Sequence, residues 1–312
     1  MYTHVTRIVL LVGLGLSMLL SPLNGRADDH RKIFSITVDG ETVSDLDVTV
    51  EAPALDLRTD RKTLRGSGYL VKRTLPAPDF HAVSVAQGIA VVIGGTEEIV
   101  IEADDNLIDQ LTVEAVRGTL QIRFENNNSI RDVHVTVQIP NNGKIDAIEA
   151  SSAASVTTKQ ALQSDEMQIQ LSSAATLDAA LKVDRCEIYL SSAARMKCAA
   201  EFVSCRMHLS SASKLRGSLQ AKRLTAELSS ASKASLKGSC ESLTATLSSS
   251  GKLEAEELEA SVVEVQASSS SSAEVWCTEK LTAGASSGAS VYYTGDCRVY
   301  EQTSSGGRIT QR

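Results

Sequence analysis

The chain has 312 residues, 22% of them charged, with a net charge of −7 and a pI near 5.4. That balance excludes a nucleic-acid binder that works through an overall basic surface. Aromatic residues make up only 4%, and serine is lopsided, with 7 in residues 1–150 and 33 in residues 151–312, so the two halves obey different packing rules.

At the N-terminus Arg7 precedes a run of thirteen mostly apolar residues, Ile8 to Leu20, followed by Ser21-Pro22 and the small-x-small triplet Gly25-Arg26-Ala27. This is the layout of a cleavable secretory signal over residues 1–27, and the run is too short to span a bilayer. We therefore expect a periplasmic or secreted product with cleavage near Ala27 and no transmembrane span in the mature chain. An uncleaved anchor would export the same domain.

Residues 28–64 carry strand-like stretches at Ile33 to Val38 and Leu46 to Val50 around an Asp39-Gly40 turn, and are expected to form an N-terminal cap or first coils that protect an edge strand. Further on, residues 80–85, 88–93, 99–107, 118–122 and 137–140 read as short strands.

From residue 151 one element recurs nine times: two serines, two small residues, any residue, then usually an apolar one. The first serines are Ser151, Ser172, Ser191, Ser210, Ser229, Ser248, Ser270, Ser286 and Ser304, with spacings of 21, 19, 19, 19, 19, 22, 16 and 18. Before each pair the chain alternates with period two, as in Met167, Ile169, Leu171 and Cys186, Ile188, Leu190. A second apolar column follows at Val156, Leu177, Met196, Leu215, Ala234, Leu253, Val275, Val291 and Ile309. A unit of about 19 residues cannot bury its apolar face alone, but copies stacked at ~4.8 Å build a continuous core. The predicted fold is all-β, a single-stranded parallel β-helix over residues 65–312 with tight corners of serine and alanine.

Gly66-Ser67-Gly68, Phe80 to Val85, Gly88 to Ile93, Ile99 to Leu107, Gly118 to Ile122 and Val137 to Pro140, together with the Ser-Ser-Ala-Ser corners, resemble the bacterial family called putative auto-transporter adhesin, head GIN domain. The resemblance implies a right-handed β-helix and an exported location. The family's corners usually read Ser-Gly-Ala-Ser, whereas many here read Ser-Ser-Ala-Ala. A self-secreting autotransporter would need a C-terminal membrane barrel, and the repeats here run to the last residues.

Candidate chemistry is sparse. Gly284-Ala285-Ser286-Ser287-Gly288 matches a nucleophile-elbow pattern, but that fold needs a histidine after the serine, and His4, His30, His81, His134 and His208 all precede it. The cysteines form no C-x-x-C pair, so neither zinc nor thioredoxin-like chemistry is indicated, and no cofactor is expected. Cys186 and Cys205, one period apart in an inward column, are either a disulfide or two small core thiols. Asp104-Asp105-Asn106 lacks a spaced calcium ligand set and reads as a turn.

On outward positions after the corners stand Arg195, Lys214, Lys233 and Lys252, with Lys197 and Arg216 two residues further along their coils. Like charges stacked at ~4.8 Å repel, which calls for neighbouring acids or an anionic partner. Asp178, Glu254 and Glu256 are the acids within reach. Either the ladder is a solvated flank, or it binds acidic polysaccharide or lipopolysaccharide. Trp276 and Tyr292 are expected next on the same column, where aromatic faces could stack sugars. The leading reading is an exported, non-enzymatic structural or binding module of the cell envelope, adhesin-like, with no nucleic-acid partner. The alternative is a polysaccharide-acting β-helical enzyme, lyase or hydrolase, for which no paired carboxylates are found. Ice binding would need a flat threonine ladder, and the outward positions are mixed.

Overall fold

A computed structural model describes residues 34–38, 41–46, 64–125, 130–131 and 134–312. The chain divides into two compact units, residues 1–59 and 60–312. In the first, Phe34–Val38 and Glu41–Leu46 pair antiparallel with Val38 opposite Glu41, so the second strand precedes the 46–50 stretch that alternation suggested. The expected leader over 1–27 and the remainder of the expected cap lie outside the described residues.

The second unit is a parallel β-solenoid. Its long strands are Leu162–Leu171, Thr176–Leu190, Arg195–Leu209, Lys214–Leu228, Lys233–Leu247, Lys252–Ala267 and Ser272–Ala285. Leu162 faces Leu181, Thr176 faces Arg195 and Lys214 faces Lys233, an offset of 19 that places like residues of successive coils side by side. Period-two alternation thereby becomes columns. Met167, Cys186, Cys205, Leu224 and Leu243 form one buried column, and Leu171, Leu190, Leu209, Leu228 and Leu247 another. Each coil's apolar face is covered by the coils on either side, so burial is cooperative along the stack.

The corners are type I′ turns. In Ser210-Ser211-Ala212-Ser213, Ser211 and Ala212 both have positive φ, 51° and 61°, and the Ser213 amide donates to the Ser210 carbonyl at 3.1 Å. The same i to i+3 bond closes turns beginning at Ala86, Ser151, Ser172, Ser191, Ser210, Ser229, Ser248, Ser268, Ser286 and Ser304. Two consecutive left-handed residues cost about 1–2 kcal/mol each when they are not glycine. Part of that is offset between coils: the Ala193 amide donates to the Ser211 carbonyl at 2.9 Å, and the Ala212 amide to the Ser230 carbonyl at 3.0 Å. Where the inward corner residue is serine, its hydroxyl is also satisfied, as Ser213 to the Leu190 carbonyl at 3.1 Å and Ser232 to the Leu209 carbonyl at 2.9 Å.

The serine expected to open the seventh corner, Ser270, is its third residue; the turn begins at Ser268. Spacings there are 20 and 18 instead of 22 and 16. One extra residue enters between Glu254 and Glu257, opposite Ser235–Lys237; beyond Ala255 the next coil drops three residues, and one is restored between Cys277 and Lys280. Ala273, not Val275, therefore continues the apolar column beside Leu253.

The beginning of the stack departs from simple repetition. Ala82–Val85 and Ala90–Ile93 form a coil that pairs in parallel with Ala147–Ala150 and Ser155–Thr158. Between these coils the chain inserts Ile99–Asp104, Leu111–Val116, Thr119–Phe124 and Val135–Ile139, which lie on the other edge of the first coil through Thr119–Phe124 and Val135–Ile139. Several of these pairings are antiparallel, including Leu70–Leu75 with Ile99–Asp104. The inserted strands close an edge that would otherwise expose a full row of unpaired amides and carbonyls.

Asp104, fully buried, accepts from the amides of Gly68 at 2.8 Å and His134 at 2.9 Å. Asn106 accepts from the Ser67 amide at 3.1 Å and donates to the Arg65 carbonyl at 2.8 Å. Asp104-Asp105-Asn106 is thus a structural staple for residues 65–68, with Asp104 occupied by backbone amides and Asp105 by the Ser67 hydroxyl.

Candidate functional site

The cation columns follow directly from the register. Arg195 faces Lys214, Lys214 faces Lys233 and Lys233 faces Lys252; two positions along, Asp178, Lys197, Arg216, Ser235 and Glu254 form a parallel column. Both columns lie on the face that follows the serine corners. At ~4.8 Å between coils, neighbouring cations would repel strongly if nothing intervened.

The structure divides the six into two groups. Glu254 accepts from Lys233 at 2.6 Å, from Lys252 at 2.8 Å and from the Ser235 hydroxyl at 2.8 Å. Burial would raise the Glu254 carboxyl, but those hydrogen bonds and the Lys233 charge outweigh it and bring it down to about 2. Lys197 meets Asp178 at 3.4 Å. Arg195, Lys214 and Arg216 are exposed and have no carboxylate within ion-pair distance among the described residues. These three line a cleft of about 450 Å³ with Thr157, Thr176, Asp178 and Lys197. Arg216 and Lys197 also border a second cleft of about 590 Å³, lined by Ala180, Ala199, Ser218 and Leu236 and ending at Glu256 and Glu257.

The aromatic extension is corrected. With the seventh corner beginning at Ser268, the column of Lys252 continues through Ser272 and Ser290 to Arg308. Tyr292 does continue the column of Lys197, Arg216 and Glu254, through Glu274, whereas Trp276 stands opposite Thr294 and shares no column with it. The Arg312 guanidinium lies 4.1 Å from the Tyr292 ring centroid and bonds Glu274 at 3.2 Å, covering one face of that ring.

Cys186 and Cys205 are direct cross-strand neighbours, and both are buried free thiols. A hydrogen bond with Cys186, reinforced by burial, pushes the Cys205 thiol well up. Cys277, a free thiol pushed up to about 12 chiefly by burial, also hydrogen-bonds the Cys297 thiol, a contact that repeat position did not reveal because strand pairing lapses at residues 295–297. Ser286 is one of ten equivalent corner positions among the described residues, and no histidine of the sequence lies on its coil. No helix among the described residues is long and apolar enough to cross a membrane.

An all-β parallel solenoid with stacked serine corners and one cation-lined face defines a repeat scaffold that presents side chains in rows. The family model described as putative auto-transporter adhesin, head GIN domain, matches residues 79–217 and 195–297, and the chain belongs to that family. Among solved structures, a putative adhesin from Parabacteroides merdae ATCC 43184 is similar at 18% identity and a TM-score of 0.58, over 80% of this chain and 99% of that one. A putative adhesin from Parabacteroides distasonis ATCC 8503 gives 18% and 0.61 over 80% and 100%. A putative lipid binding protein from the same organism gives 17% and 0.59 over 80% and 100%. At these identities the likeness establishes the fold alone. Among curated proteins no sequence matches the chain.

Proposed function

We propose that the chain is an exported, non-enzymatic, adhesin-like binding module of the cell envelope that holds acidic glycan on Arg195, Lys214 and Arg216, with Lys197 beside them. The observation that carries this is the contrast within one ladder: Lys233 and Lys252 are tied to Glu254, whereas three cations on two adjacent coils face a cleft without carboxylate partners. A partner that supplies carboxylate, sulfate or phosphate groups would relieve that repulsion and gain charge-assisted hydrogen bonds, bidentate ones at the two arginines. An acidic polysaccharide or the anionic part of a lipopolysaccharide has this chemistry. The membership in an adhesin-named family and the leader-like N-terminus both favour an envelope location.

An array of acidic and neutral glycans, read for binding and then by mass spectrometry for cleavage, tests the reading. Retention of acidic glycans without product release supports it. Bond cleavage, or no preference for acidic members at the cation face, overturns it.

A further inference from the structure

On the other side of the serine corners runs a second feature, independent of the cation face. The outward column Gln170, Tyr189, His208, Glu227, Thr246, Gln266, Gly284, Gln302 is in unbroken register from coil to coil. Beside it stand the first corner serines. Between the two rows lies a cleft of about 330 Å³ reaching from Gln170 to Thr246, and a second of about 240 Å³ reaching from Thr246 to Gln302. Both are lined by Thr246 and Ser248, so they form one groove along the solenoid. Seven steps between coils make it roughly 34 Å long at ~4.8 Å per step.

Its chemistry differs from the cation face. One wall carries amides, a threonine hydroxyl and ring edges, and the other carries hydroxyls. Ser191, Ser210, Ser229 and Ser248 are half-buried, and their side chains make no hydrogen bond among the described residues. Among the described residues Glu227 is the one acidic group lining it, and its Oε2 lies 3.1 Å from Nδ1 of His208. The Tyr189 and His208 rings stack at 4.9 Å, 5° from parallel, the Tyr189 hydroxyl donates to Glu187 at 3.0 Å, and the other face of Tyr189 is turned to the shorter Gln170. With Nδ1 engaged by Glu227, Nε2 of His208 is left for a ligand.

We infer that this groove binds an extended neutral glycan, laid along the solenoid axis. Hydroxyl-bearing rings can donate to the Glu227 carboxylate and the glutamine amide oxygens, accept from the amide nitrogens, and do both with the serine and threonine hydroxyls. An acidic chain would meet Glu227, and an apolar one would leave the serine and glutamine groups unpaired in a contact from which water is excluded.

The test uses the full chain in affinity electrophoresis through gels containing soluble neutral β-glucan, xylan or mannan. Three variants are compared: Y189S/H208S, T246L, which puts an apolar side chain where the two clefts join, and R195S/K214S/R216S on the opposite face. All change outward side chains, and thermal unfolding checks that each folds. Retention of the wild type by at least one neutral glycan, weakened roughly tenfold in Y189S/H208S and T246L but kept in R195S/K214S/R216S, is the expected result. Absence of retention on all three neutral glycans overturns the inference while leaving the acidic-glycan reading standing. So does retention unchanged in both groove variants, or lost only in the cation-face variant.

Discussion

Glu254 and Lys233 sit on adjacent coils with Oε1 2.6 Å from Nζ, and the same oxygen takes Lys252 at 2.8 Å. One carboxylate thus bridges two stacked lysines and cancels a repulsion that register alone would impose. The cation ladder is uneven as a result. Its C-terminal half is internally satisfied, and its N-terminal half, at Arg195, Lys214 and Arg216, is open to an external anion.

That clamp has a pH signature. The Glu254 carboxyl is depressed from 4.5 to about 2 in the folded chain, so the stability it contributes is present above about 4.5 and is lost as pH falls toward 2. In E254Q the unfolding free energy should vary less between pH 5 and pH 2 than in the wild type. Urea titrations at several pH values measure this, and identical pH slopes for the two proteins would refute it.

The corners make a steric prediction. Ala212 is exposed at a φ of 61°. A β-branched side chain is strongly disfavoured there, so A212V should lose about 2 kcal/mol, while A212G should be near neutral because relief of strain is offset by greater chain entropy in the unfolded state. Equal stability of A212V and the wild type in denaturant unfolding would count against the turn geometry.

Gly238 is the other backbone-critical position. At φ +116° its absent Cβ would lie 2.0 Å from the Leu219 carbonyl oxygen, so the neighbouring coil must shift to admit any side chain. G238A should cost roughly 3 kcal/mol, larger than an exposed alanine substitution elsewhere on the same coil. Differential scanning calorimetry of G238A beside S239A makes the comparison.

Thiol chemistry should be selective. Cys297 is half-exposed, whereas Cys198, Cys240 and Cys277 are buried, with thiols pushed up to about 12 chiefly by burial. Brief alkylation of the reduced native protein at pH 8 should label Cys297 first and leave the buried five until unfolding. Peptide mapping reads the order, and early labelling of Cys198 or Cys205 would contradict the packing.

Most of the solenoid was legible because a 19-residue offset turns period-two alternation into columns. Met167, Cys186 and Cys205 fall into line without any knowledge of the chain path. Asp178 and Glu254 were identifiable as neutralising acids for the same reason, although Glu256 turned out to pair with Arg312. The seventh corner was misplaced because Ser268 to Ser272 is a homogeneous run in which no residue marks the turn; only the pairing of Leu253 with Ala273 settles it. That two-residue error carried Trp276 into the wrong column. The strands between Ile93 and Ala147 were readable as strands, but not as an insertion, since no repeat marks their pairing and Leu70–Leu75 meets Ile99–Asp104 antiparallel across a long separation. The polar groove was invisible for a different reason: Tyr189, His208, Glu227 and Thr246 share no residue type, and only coordinates show that they line one channel with the serines.

The most direct test of the cation face compares retention on an immobilised acidic glycan, such as heparin, for the wild type, R195S/K214S/R216S and K233S/K252S. The expected outcome is loss of retention and of most of its salt dependence in the triple variant, with K233S/K252S close to wild type because those lysines are already held by Glu254. Undiminished retention of the triple variant, with its fold intact, would contradict the proposal.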